Sequence, residues 1–384
     1  MPAPFIYLDN NATTPIDPRV LEEMMPYLTT AYANAGSSHG FGLQIKKAVE
    51  QARGQVAKLI GAFAREIVFT SGATESINLA LKGVAQTRIK KGYHIITVAT
   101  EHKAVLDTCK YLETIGYEVD YLPVKSDGTL DLNVLKTHLR DDTILVAVML
   151  VNNETGIIQF IEHIASMVHQ SGALFFTDVT QGFGKLPIDV ERMQIDMLAF
   201  SGHKIYSPKG IGGLYVKSGV PLMTLLHGGG HEQNLRSGTL NVSGIVGLGK
   251  AAELAGQDME GDRRRIGRLR DNLENALLTI EGAEINGSIN QKIYNTTNIR
   301  FEGIHADILI KALDTICVSS GSACSSSIPQ PSYVLEAMGL TQNQAFSSIR
   351  FSLGRFTTDE EVEIAIETVK NLVGFVRQSS YQNT

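Results

Sequence analysis

Apolar residues along the chain follow two rhythms. Unbroken runs such as Ile144-Leu-Val-Ala-Val-Met-Leu-Val151 are short enough for buried strands, whereas apolar residues spaced three and four apart mark helices that pack by one face. Residues 43–61 show the second rhythm, with Ile45, Ala48, Val49, Ala52, Val56, Leu59 and Ile60 in register and a glycine at the end. Strands are predicted at 5–9, 66–70, 94–99, 118–123, 144–151, 174–178 and 196–200, with helical patterns between most of them. Pro18 opens a predicted helix running to about Tyr27, residues 34–42 form a glycine-rich loop, and a helix over 77–85 follows the turn 71–76. Residues 211–216 are predicted to be the hairpin partner of another strand. Continuous apolar strands alternating with helices predict an α/β domain over residues 15–255, its mostly parallel sheet covered by helices on both faces.

Beyond Val242 the pattern changes. A helix to about Ala255 is expected to be followed by a separate charged helix with Arg263, Arg264 and Arg265 near its start. From Ala283 shorter strands (297–301 and 347–352) alternate with helices (306–313 and 359–376). A smaller α+β domain built from residues 1–14 and 256–384 is the expected partition.

Composition narrows the function classes. The chain has 384 residues, 43% of them hydrophobic, enough for a large core, and a net charge of −6 with no basic block to track a phosphate backbone or a lipid surface. Neither a nucleic acid nor a membrane is expected as a partner. The opening Met-Pro-Ala-Pro-Phe-Ile-Tyr-Leu-Asp has neither the basic start nor the apolar middle of a secretory signal, so a cytoplasmic setting is expected. Three cysteines, Cys109, Cys317 and Cys324, are too few for a disulfide framework and are expected to be reduced thiols. No metal centre is expected.

Candidate chemistry concentrates at three places. Lys204 follows the apolar run Asp196-Met-Leu-Ala-Phe200 within Ser201-Gly-His-Lys-Ile-Tyr-Ser-Pro-Lys-Gly210, just beyond a strand end, where open α/β sheets collect ligands. A lysine there is either a solvated surface residue or, where burial lowers its pKa, a covalent handle for a carbonyl cofactor. The turn Ser71-Gly-Ala-Thr-Glu-Ser76 between a strand and a helix offers free N–H groups to a phosphate, or else simply caps the helix. Cys324 stands in Val318-Ser-Ser-Gly-Ser-Ala-Cys-Ser-Ser-Ser-Ile-Pro329, whose small polar residues favour a reactive thiol; Cys109 and Cys317 read as structural.

In chain order the motifs are Ser71-Gly-Ala-Thr74-Glu-Ser76, Thr100-Glu-His102-Lys103, Val151-Asn-Asn153-Glu-Thr-Gly156, Asp178-Val-Thr-Gln181, Ser201-Gly-His-Lys204 and Ser320-Gly-Ser-Ala-Cys324. Carrying them, the chain resembles the cysteine desulfurases, most of all their housekeeping iron–sulfur-cluster branch. These belong to the class V aminotransferase-like enzymes of pyridoxal-phosphate (PLP) fold type I. The resemblance runs from about Ile6 to Val376, and it implies PLP as cofactor and release of L-alanine from L-cysteine with the sulfur left as a persulfide on Cys324. It also implies that Lys204 holds the cofactor carbonyl and moves the proton, that Asp178 meets the pyridine nitrogen, and that Ala73 and Thr74 cradle the phosphate with Ser201 and His203. Gln181 would meet the ring hydroxyl, His102 stack on the ring and share proton transfer, and Asn153 lie near ring and substrate. Arg350 would fork onto the substrate carboxylate. Thr239 would reach the phosphate of a neighbouring subunit's cofactor, which implies a homodimer. A sulfur-acceptor protein such as an iron–sulfur scaffold is the implied partner.

Two departures accompany the resemblance. Many relatives have a proline after the asparagine in Asn34-Ala-Gly-Ser-Ser-His39 and a longer, arginine-containing segment, and housekeeping members dock their scaffold by a tail longer than Arg377–Thr384. The alternatives are a relative that prefers selenocysteine or cysteine sulfinate, and a non-catalytic subunit of a sulfur-transfer complex. The Cys324 motif argues for cysteine, and retention of both Lys204 and Cys324 argues for an enzyme.

Overall fold

The computed structural model describes residues 5–320 and 330–381. A seven-stranded sheet, ordered β2-β8-β7-β6-β5-β3-β4, forms the centre. Its strands are β2 (Ile67–Thr70), β3 (His94–Val98), β4 (Glu118–Leu122), β5 (Thr143–Ala147), β6 (Leu174–Asp178), β7 (Met197–Ser201) and β8 (Gly212–Val216). All neighbours are parallel except β8, which runs antiparallel between β2 and β7. β8 is thus the hairpin partner that the sequence predicts.

Period-two alternation fills both faces of the sheet. Phe69, Ile96, Val146, Phe175 and Leu198 join one buried cluster, and their chain neighbours Val68, Ile95, Leu145, Phe176 and Met197 join the other. Covering helices are α1 (Pro18–Thr29), α2 (Gly40–Leu59), α3 (Ala73–Thr87), α4 (Lys103–Thr114), α5 (Leu132–His138) and α6 (Ile161–Gln170). A third cluster unites the N-terminal strand β1 (Ile6–Tyr7) and the second half of α7 (Val242–Leu277) with strands β9 (Ala283–Ile285), β10 (Thr296–Phe301) and β12 (Ser348–Ser352). Helices α8 (Ala306–Ala312) and α11 (Asp359–Tyr381) close it, β1 pairs in parallel with β11 (Ile316–Cys317), and the short α9 (Tyr333–Ala337) and α10 (Gln342–Phe346) pack alongside.

The structure corrects several expected boundaries. The two helices expected on either side of Ala255 are one helix, α7. Its exposed middle carries Arg263 and Arg264, while the residues before it join one core and those from Ile266 onward join another. The polar stretch looks like a break because nothing covers it, yet it contains no proline. Helix α2 starts at Gly40, inside the expected loop, because His39 caps it by accepting from the Gly42 N–H at 3.1 Å. Helix α3 starts at Ala73 rather than 77, directly after the turn glycine. The strand expected over 144–151 extends only to Ala147, although Val148 and Leu150 still donate to Phe176 O and Asp178 O of β6.

Strand order reverses between β5 and β3, so the loops that leave their carboxyl ends diverge and open a crevice at the sheet edge.

Candidate active site

Lys204 lies one tight turn beyond the carboxyl end of β7, in the 3₁₀ segment Gly202–Lys204. Two residues on, Tyr206 has φ +66°, a left-handed conformation unusual for tyrosine. Its N–H donates to Thr14 Oγ1 at 2.9 Å, and its hydroxyl accepts from the Arg355 N–H at 2.6 Å. The loop is thereby clamped from two sides. Lys204 Nζ donates to the backbone oxygens of Asn11 and Ala12 at 2.5 and 2.6 Å. Burial, followed by the nearby Arg350 charge, draws the amine down to about 8 against the pull of Asp9 and Asp178. A substantial fraction of neutral amine is therefore available near physiological pH.

Lys204 opens into a cavity of about 620 Å³ lined by the loops at the strand ends. Ala73, Thr74, His102, Asn153, Asp178, Gln181, Ser201, His203 and Arg350 line it too, so the structure brings together ten of the sequence-predicted site residues. At one end β2 passes into α3 through Gly72, whose φ of +155° admits glycine far more readily than a side chain. Gly72 provides no side-chain cap, so first-turn N–H groups of α3 are left for an anion. Ser201 lies at that end also; an added Cβ on Gly72 would sit 3.5 Å from its Oγ.

Asp178 is the last residue of β6, buried, with Oδ1 accepting from the Thr180 N–H at 2.9 Å. Gln181 follows on the same loop and donates from Nε2 to Asn11 O at 2.9 Å. His102 caps α4, its Nδ1 accepting from the Ala104 N–H at 3.1 Å, so the neutral ring carries its proton on Nε2. His203 pairs through Nδ1 with Thr13 Oγ1 at 3.1 Å. Burial and the Lys204, Lys209 and Lys185 charges bring it down to about 4, which keeps it neutral.

Arg350 projects from β12, which lines the cavity from outside the large sheet. Its guanidinium donates to Asn153 O at 2.9 Å and pairs with Asp9 Oδ1 at 2.5 Å. Ser319, paired with Arg350 backbone to backbone, lies on the cavity wall where the chain enters the cysteine motif. Cys324 itself lies outside the described residues. Thr239 is exposed and lines no part of its own chain's cavity. It follows a turn in which Glu232, Gln233 and Asn234 all have positive φ, held by the buried pair of Glu232 and Arg53 at 2.7 Å.

The family model for class-V aminotransferases matches residues 6–364. The chain belongs to that family. A cysteine desulfurase IscS from Edwardsiella ictaluri is 53% identical over 380 residues, covering 98% of this chain and 94% of the relative. Among solved structures, a NifS-like protein superposes with a TM-score of 0.91 at 40% identity, covering 97% of this chain and 100% of that one. SspA, solved in complex with cysteine, gives 0.81 at 38% identity over 92% and 99% of the two chains.

The residues of this class-V aminotransferase fit the family's cofactor, PLP. An uncapped helix start offers a phosphate cradle, and residues lining the same cavity carry buried polar atoms with no hydrogen-bond partner among the described residues: Asn153 Oδ1, Thr180 Oγ1 and Arg350 Nε. Such atoms are costly unless something bonds them.

Sequence reasoning missed Asn11 and Ala12, whose carbonyls hold Lys204, and Asp9, which pairs with Arg350. The polar run Asn10-Asn-Ala-Thr-Thr14 directly after an apolar strand carried that signal. Glu101 was also missed. It is fully buried next to His102, its Oε1 accepts the Met149 N–H, and its Oε2 has no partner among the described residues. Burial and then the Asp178 charge push its carboxyl well above the ordinary range.

Proposed function

We propose that the chain is a PLP-dependent cysteine desulfurase that converts L-cysteine and an enzyme thiol into L-alanine and an enzyme persulfide. One observation carries the reading: a lysine amine drawn down to about 8 shares a cavity with Asp178, an uncapped helix N-terminus and the Arg350 guanidinium. The IscS relatives at 52–53% identity and the cysteine-bound SspA structure support cysteine as the substrate.

When bound, PLP supplies a carbonyl carbon for amines and a ring that withdraws electrons from the substrate α-carbon. Each residue of the chain then has its task. The α3 turn at Ala73 and Thr74 holds the phosphate together with Ser201 and the neutral His203. Asp178 keeps a positive charge on the ring nitrogen, and Gln181 donates to the ring oxygen. Arg350 orients the substrate carboxylate, with Asn153 alongside. Lys204 would hold the cofactor carbonyl, and its amine, with its lowered pKa, is suited to take the proton from the substrate α-carbon. His102, whose Nε2 is free of the bond made by Nδ1, is the second proton carrier. The Cys324 thiolate attacks the substrate sulfur, the carbon–sulfur bond breaks, that carbon gains a proton, and the Lys204 amine returns a proton to the α-carbon to give alanine.

In this reading residues 15–255 form the cofactor-binding domain, and residues 1–14 with 256–384 form the smaller one that carries Cys324. The working unit is a homodimer in which Thr239 serves the second copy's cofactor, which accounts for its exposure on a single chain. The setting is cytoplasmic and the acceptor is an iron–sulfur scaffold; among the described residues no helix is long and apolar enough to cross a membrane.

Mass spectrometry of the protein after incubation with PLP and L-cysteine tests the reading. One extra sulfur on the Cys324 peptide, matched by released alanine, is the expected result. Turnover of selenocysteine or cysteine sulfinate with none of cysteine would overturn it.

A further inference from the structure

Behind the cavity lies a second lysine to which the mechanism assigns no task. Lys185 is buried at 7% exposure. Gly184, left-handed at φ +69°, turns it inward; an added Cβ there would meet Ala255 Cβ at 2.9 Å and Ile205 Cγ2 at 3.0 Å, so the turn is wedged between α7 and the Lys204 loop. No carboxylate forms an ion pair with Lys185 among the described residues, and its amine donates to Gln181 Oε1 at 3.3 Å. Lys204 and Arg350, the charges that act on it, both repel it. Lys185 and Lys204 also share the wall of a void of about 10 Å³ with Asp262, Tyr294 and Arg355. A buried amine amid like charges is an expensive way to fill space, and methionine would do so at less cost.

What the amine provides is direction. The Gln181 amide is held at both ends: Oε1 by Lys185, and Nε2 by Asn11 O, the same oxygen that accepts from Lys204. An amide so held has its oxygen turned to Lys185, which does not line the cavity, and its Nε2, with one N–H left over, beside Asn11, which does. We propose that Lys185 is a positioning residue which fixes the Gln181 amide so that its donors, and not its oxygen, meet the cofactor ring. Without Lys185 the buried Oε1 loses its donor and the amide turns towards another, the nearby Lys204 amine. The burial that draws the Lys185 amine down to about 7 accords with this, since near neutrality the residue can donate without carrying a full charge.

The inference rests on the cofactor reading above, and spectroscopy of the holoprotein separates the two. The pH midpoint of the visible absorption band is measured for the wild-type chain with bound PLP, for Lys185→Met, for Gln181→Met and for the double variant. Lys185→Met should move the midpoint up by about one pH unit, and that shift should shrink by half or more in the Gln181→Met background. Should Lys185→Met fail to fold, Lys185→Leu goes through the same comparison. An unmoved midpoint, or an equal shift with Gln181 absent, overturns the inference, the second outcome because it assigns the effect to charge alone. Absence of any visible band from the wild-type chain saturated with PLP overturns the cofactor reading and this inference with it.

Discussion

The amine of Lys204 lies 2.5 Å from the backbone oxygen of Asn11, 193 positions earlier in the chain. The turn after the N-terminal strand supplies this carbonyl and that of Ala12, and they hold the lysine where, among the described residues, no carboxylate pairs with it. Such acceptors fix the amine's place without forming an ion pair that would hold the proton on it.

Replacing Lys204 with arginine keeps a charge that no ordinary pH removes, and alanine removes the amine altogether. Both variants should bind PLP without the wild-type visible band, and turnover should fall by roughly 10²–10⁴-fold, as expected for loss of a proton-transfer group. A wild-type spectrum in either variant would refute the assignment.

Strands and their order of appearance were legible because buried strands need unbroken apolar runs, and two motif residues stood out because each closes such a run: Asp178 ends β6 and Ser201 ends β7. Lys204's acceptors were not legible, since every residue carries a carbonyl and only the fold selects those of Asn11 and Ala12. Nor were Lys185 and Glu101 readable, because burial of a charged side chain leaves no local pattern. Continuity of α7 was hidden for a related reason: a helix that links two cores carries polar residues all round where it passes between them.

Asp9 and Arg350 form one ion pair but act oppositely on Lys204, Asp9 raising its pKa and Arg350 lowering it. The visible band of the holoprotein titrates with the proton on the Lys204 nitrogen, on which the same two charges act. Arg350→Gln should move the midpoint up, and Asp9→Asn should move it down because it removes an attraction and leaves Arg350 unneutralised. Each shift should be about one pH unit at low salt. Shifts of the same sign in both variants would show that the field at Lys204 has another source.

Gly212 in β8 passes so close to the phosphate turn that an added Cβ would lie 2.5 Å from Phe200 O and 2.7 Å from Gly72 Cα. Both are backbone atoms and cannot swing aside. Gly212→Ala should push the turn inward and weaken PLP binding by roughly tenfold or more, a displacement worth about 1.4 kcal/mol. Its far-ultraviolet circular dichroism should stay that of the wild type. Equilibrium titration with PLP measures the effect, and unchanged affinity would mean that the anion cradle lies elsewhere.

Glu154 connects the cavity wall to the chain beyond the cysteine motif. It is buried, and its Oε2 accepts from Ser332 Oγ, the cap of α9, at 2.5 Å. Burial pushes its carboxyl up to about 7, opposed only in part by the Ser332 bond and by the Arg350 and Lys103 charges. The folded protein therefore holds this proton more tightly than the unfolded chain, where the carboxyl titrates near 4.5. The stability it contributes is full below about 4.5 and is lost as pH rises through about 7. Glu154→Gln keeps an acceptor for Ser332 and removes the charge. Against wild type, the variant should gain roughly 2–4 kcal/mol at about pH 8 and little at about pH 4.5. Urea unfolding at the two pH values reads the difference directly. A gap between variant and wild type that stays constant with pH would mean that Glu154 keeps its charge in the folded protein, and that the Ser332 contact is an ordinary hydrogen bond to a carboxylate.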